Sequence, residues 1–142
     1  MAEKNDPMQD LYTDEEPYNK NRLTKVLTRY IGIDSEDGSM ITKPGLEKLN
    51  DKQKTVCYLL YVRAAHDLSE ISESEIRRKP IQIADTVGIQ EVEADRAAYQ
   101  LSLVEGESKS GGPYHIPESR IDTAVSYLDG TARVTEEDDS FF

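Results

Sequence analysis

A chain of 142 residues, 37% of them hydrophobic, has room for one core and polar ends and hardly for two domains. No apolar run approaches the roughly 20 residues that cross a bilayer, and the opening MAEKNDPMQD is polar and acidic where a secretory signal is basic and then apolar, so a cytoplasmic protein is expected. The single cysteine, Cys57, excludes a disulfide within these residues, and its neighbours Val56, Tyr58, Leu59 and Leu60 mark it as a buried structural thiol.

The net charge of −11 is unevenly spread. Residues 1–18 hold six acids against Lys4, a net −5, and residues 131–142 hold four against Arg133, a net −3, so only −3 remains for everything between. Both ends are poor in apolar residues and rich in like charge, so they are expected to be disordered acidic arms, 1–18 and 131–142. An acidic excess also suits a halophilic source, a point that nine lysines beside eight arginines leave open.

Residues 19–33, NKNRLTKVLTRYIGI, read as a basic amphipathic helix. Leu23, Val26, Leu27, Tyr30 and Ile31 form its stripe, Gly32 suits its end, and it carries Lys20, Arg22, Lys25 and Arg29 with no acid. Residues 34–50, with DSEDGS and Pro44-Gly45, read as an irregular linker with a short helical turn near Leu46–Leu49. From Asp51 the run DKQKTVCYLLYVRAAHDL is apolar nearly all round, as a central core helix must be. His66 near its end suits a helix C-terminus better than a metal, because neither it nor His115 has a ligand cluster beside it.

Ser72 and Glu75 have capping-box spacing and predict a short helix running into Ile76, Arg77, Arg78 and Lys79. Pro80 forces Lys79 toward extended geometry and suits the first position of the next helix, in which Ile81, Ile83, Ala84 and Val87 recur at helical spacing. Gly88 is placed to stop that helix with a positive φ, and Gln90 opens a second whose inner side is Ala94, Ala97, Ala98, Leu101 and Val104. Leu103–Glu105 and Tyr114–Ile116 then read as two strands around a Gly111-Gly112 loop. Ser119 is expected to cap a last helix bearing Ile121, Ala124, Val125 and Leu128, with Gly130 at its stop.

Taken in order, the core helix, PIQIADTVGI, the second helix, LSLVEGESKSGGPYHIP and the terminal helix resemble the winged helix–turn–helix superfamily over about residues 50–129. The likeness is greatest to small winged regulators of archaea and their mobile elements. It implies a mainly α fold with a β-hairpin wing, a domain at 51–130 preceded by the basic helix, and duplex DNA as partner, with the second motif helix in the major groove. Arg96 and Gln100 would read bases in that groove, and Arg22, Lys25, Arg29, Arg77, Arg78, Lys79, Lys109 and Arg120 would touch phosphates. Glu91, Glu93 and Asp95 share the groove-facing side with Arg96, a net −2 that opposes a polyanion.

The ending EEDDSFF is similar to the acidic, phenylalanine-terminated tails of bacterial and phage single-stranded DNA-binding proteins, which implies a partner-binding role for Phe141 and Phe142. The sequence shows no P-loop, nucleophile elbow or metal-ligand spacing, so no enzyme, metal or cofactor is expected. The leading expectation is a dimeric, DNA-binding transcriptional regulator. The alternative is a non-enzymatic interaction or assembly module of a viral particle or replication complex, its acidic helix set against a basic protein; an acidic DNA mimic comes third.

Overall fold

The computed structural model describes residues 18–68, 70–107 and 111–130, which are mainly helical, with five α-helices and two small antiparallel hairpins. The acidic arm, the tail with Phe141 and Phe142, and Lys109 lie outside the described residues, apart from Tyr18 at the arm's end.

Asn19 starts α1 (Lys20–Leu27) by accepting a hydrogen bond from the Arg22 N–H at 3.0 Å, which satisfies one of the helix's orphan donors. The helix buries Leu23, Val26 and Leu27 against α2 and α5, so it belongs to the common core. It ends six residues before Ile33, the end expected from the sequence. Ile31–Ile33 (β1) instead pairs with Met40–Thr42 (β2), in the register Ile31↔Thr42, Gly32↔Ile41, Ile33↔Met40. The two β-branched isoleucines flanking Gly32 favour a pleat over a helix, and the loop between the strands closes with Gly38 at φ 75°. The Tyr61 hydroxyl donates to the Gly38 carbonyl at 2.6 Å and fastens this hairpin to α2. The stretch read as an irregular linker therefore contains a strand and a 3₁₀ turn, Pro44–Lys48, with Leu46 buried.

The central helix, α2 (Asp51–Asp67), begins with a complete capping box between Asn50 and Gln53. It is buried without interruption from Thr55 to Arg63, and it packs against α1, α3, α4 and α5, which is why its sequence is apolar on every side. Cys57 is fully buried, and burial pushes its thiol pKa up to about 12.

After α2 the Ser72–Glu75 box forms, the Ser72 N–H donating to Glu75 Oε1 at 2.9 Å, but it starts only a 3₁₀ turn, Glu73–Glu75. No helix continues to Lys79, because the backbone of Arg78 is taken by Tyr114: its N–H donates to the Tyr114 carbonyl at 2.8 Å and its carbonyl accepts from the Tyr114 N–H at 2.7 Å. Pro80 opens α3 (Pro80–Val87) and Gly88, at φ 81°, ends it; α4 (Glu91–Gln100) follows. Ala84, Ala94 and Ala98 are buried in the core that α2, α3 and α4 share, small side chains that let the helices approach closely.

Glu105–Gly106 (β3) pairs with Tyr114–His115 (β4), so the strand at Tyr114 lies between β3 and the single bridge at Arg78. Leu103 and Ile116 flank the short ladder and are buried. The last helix, α5 (Ile121–Asp129), buries Ile121, Ala124, Val125 and Leu128 and stops at Gly130, φ 84°. Ser119 does not cap it: the residue lies inside a 3₁₀ turn, Glu118–Arg120, that leads directly into the helix. Two polar ties join α1 to α5, the Asn19 N–H to Asp122 at 2.9 Å and Arg22 to Asp129 at 2.9 Å.

Candidate interaction face of the helix pair

The helix pair α3–α4 turns one side to the core and one side out. The inner side takes Ile83, Ala84, Val87, Ala94, Ala97 and Ala98. On the outer side Val92 is 56% exposed and Ile81 43% exposed, two aliphatic side chains left in water beside carboxylates. They line one groove, about 380 Å³ in volume, together with Lys79, Pro80, Glu91, Asp95 and Gly111. Its walls therefore come from the start of α3, the first turns of α4 and the tip of the β3–β4 loop.

Asp95 holds that loop in place. Its Oδ1 accepts a hydrogen bond from the Tyr114 hydroxyl at 2.5 Å and another from the Gly111 N–H at 2.7 Å. Tyr114 is buried, and burial followed by the bond to Asp95 raises its pKa well above the ordinary tyrosine value. One of the three acids on the α4 face is thus a structural tie. Nothing in the local sequence reveals that tie, because Asp95 and Tyr114 are 19 positions apart.

Gln100 does not face outward. It is 7% exposed and sits beside the Ala97–Leu101 side of the helix, so it cannot reach a base edge in a groove. Arg96 is exposed and makes an ion pair with Glu93 at 3.3 Å, one turn back.

Of the cations expected to meet phosphate, several have other partners. Arg78 is the most committed: its Nε donates to the Glu75 carbonyl at 2.9 Å, its Nη1 to the Tyr58 hydroxyl at 3.2 Å, and its guanidinium lies 5.9 Å from the centre of the Tyr58 ring. Arg120 donates to the Ser102 carbonyl at 3.0 Å and lies 4.0 Å from Glu105. Arg22 is bound to Asp129, and Arg77 lies 3.8 Å from Glu107 while keeping half its surface open.

Lys79, Lys25 and Arg29 are exposed. Lys25 and Arg29 line a second groove of about 730 Å³ with Asn19, Asn21, Arg22, Val26 and Asp129. That groove belongs to α1 and the end of α5 and shares no residue with the first. Among the described residues, the two grooves thus divide the predicted phosphate contacts that line them, Lys79 in one and Arg22, Lys25 and Arg29 in the other.

Within the hairpin, His115 of β4 packs half-buried with its Nδ1 unpartnered among the described residues and its Nε2 3.7 Å from Glu105. Burial, and next the nearby Arg77, lower its pKa below the ordinary value. Arg63, 6% exposed, donates to the Ile116 carbonyl at 3.3 Å and braces the same strand from α2. Among the described residues no group of three or more His, Cys, Asp or Glu side chains is arranged to hold a metal ion.

No family model, curated protein or solved structure matches this chain.

Proposed function

We infer that the chain is a winged-helix module that binds a polypeptide partner through the outer face of α3 and α4. The order of parts supports the winged-helix reading: a central helix, an extended residue at Arg78, two helices joined at Gly88, and a two-stranded hairpin whose inner strand pairs with that extended residue.

The observation that carries the choice of partner is the composition of the α4 face. Where a groove-reading helix needs cations and neutral donors, α4 presents Glu91, Glu93 and the exposed Val92, with its one arginine turned onto Glu93. Exposed aliphatics rimmed by polar groups are what a protein-binding surface offers. Arg78 and Arg120 are committed to the fold, and the exposed Lys25 and Arg29 sit on α1 and just past its end, away from the α3–α4 groove.

A second reading, a duplex-binding regulator, is favoured by Lys25 and Arg29 themselves, because neither has an ion-pair partner among the described residues and both line one groove. Such a regulator would be a dimer, since pairing half-sites supplies the affinity that one module lacks. Fluorescence anisotropy with a labelled random-sequence duplex separates the two. An interaction module gives no saturable binding between about 50 and 200 mM salt, whereas a regulator binds tightly at the lower value and loses about 10³-fold or more across that range.

A further inference from the structure

We propose that the groove between Ile81 and Val92 takes a short basic segment of a partner protein, one aliphatic side chain inserting between the two while a flanking Lys or Arg meets Glu91. The proposal rests on the protein-binding reading and names its ligand.

Three features of the groove select this occupant. Ile81, Val92 and Pro80 give it an apolar floor, which needs an apolar group to displace water from it. Among the described lining residues, Glu91 and Asp95 place two carboxylates on the α4 side against one cation, Lys79, on the α3 side, so their charge is net negative and polarised. Asp95 is already occupied by Tyr114 and Gly111, which leaves Glu91 as the carboxylate that meets an incoming cation.

The same charges exclude the simpler occupants. A second copy docking through this face would bring together two grooves that each carry more carboxylate than cation among their described lining residues. The acidic ends of the chain, with six acids in 1–18 and four in 131–142, carry the wrong sign. A partner that pairs a leucine-like side chain with Lys or Arg satisfies both the floor and the rim.

The probe is a synthetic peptide with a central leucine pair flanked on each side by two arginines, titrated into the full chain carrying labelled Ile and Val methyl groups. The Ile81 and Val92 signals are expected to shift and saturate while the buried Val125 signal stays put. Val92→Ser weakens binding roughly tenfold, the loss of one aliphatic contact, and Glu91→Lys weakens it similarly. Both positions are exposed, so neither change disturbs the core, and an unchanged Val125 signal verifies it. Equal binding of a glutamate-flanked leucine peptide or of an arginine-flanked serine peptide overturns the proposal, as does the absence of any shift at Ile81 and Val92. That last result sinks the ligand named here, whereas the polypeptide-binding reading fails on a different result, saturable binding to duplex.

Discussion

The Tyr114 hydroxyl donates a 2.5 Å hydrogen bond to Asp95, joining the inner strand of the hairpin to the outward helix of the pair. The same oxygen accepts from the Gly111 N–H, and Gly111 forms part of one wall of the groove. Tyr114→Phe leaves the ring's packing and removes only the donor. The expected loss is about 1.5 kcal/mol in urea denaturation, the size of a hydrogen bond to a charged group. No change in stability would mean that the Tyr114–Asp95 bond contributes nothing to the fold.

Arg77 and Arg78 are adjacent and chemically alike, yet the structure gives them different work. Arg78→Ala removes two hydrogen bonds and a contact with the Tyr58 ring, and should destabilise by about 1–2 kcal/mol. Arg77→Ala, whose partner Glu107 is exposed and 3.8 Å away, should change stability by less than about 0.5 kcal/mol. Equal effects in chemical denaturation would contradict this division.

Gly88 ends α3 at φ 81° with nothing within 4 Å of where a Cβ would stand. The cost of Gly88→Ala is therefore conformational alone, about 1 kcal/mol. A loss of 3 kcal/mol or more would show that the turn is packed and not merely left-handed.

His115 makes stability depend on pH in a definite sense. Its pKa is lowered in the folded chain, first by burial and then by Arg77, with Glu105 pulling the other way. Below the ordinary histidine value near 6.5 the unfolded chain therefore takes up a proton that the folded one resists. The contribution is whole above that value and is lost as pH falls through the folded pKa. His115→Gln should flatten the fall in stability from pH 7 to pH 5, measured by thermal unfolding, and an unchanged slope would contradict the assignment.

The helix pair, its Gly88 turn, the hairpin at Tyr114 and the terminal helix were legible because each follows from residues a few positions apart: Pro80 at a helix start, glycines at two helix ends, and apolar residues at i, i+3, i+4 and i+7. The β1–β2 hairpin was not read, although Ile31 and Ile33 alternate around Gly32, because the stripe of α1 runs on through Tyr30 and Ile31 and masks the change of period. A polar side chain at Gln100 points outward by residue type alone, yet the position adjoins Ala97 and Leu101 on the inner side of the helix and is buried there. The roles of Arg78 and Asp95 lay beyond any local reading. Each depends on a partner brought close by folding, Tyr58 for one and Tyr114 for the other.

The most direct test of the protein-binding account follows the Val92 methyl signals while a random-sequence duplex is added at about 50 mM salt, where any phosphate-driven contact is strong. The account predicts that these signals, and those of Ile81, stay at their free positions throughout. A shift at Val92 that saturates with duplex would place DNA against α4 and contradict it.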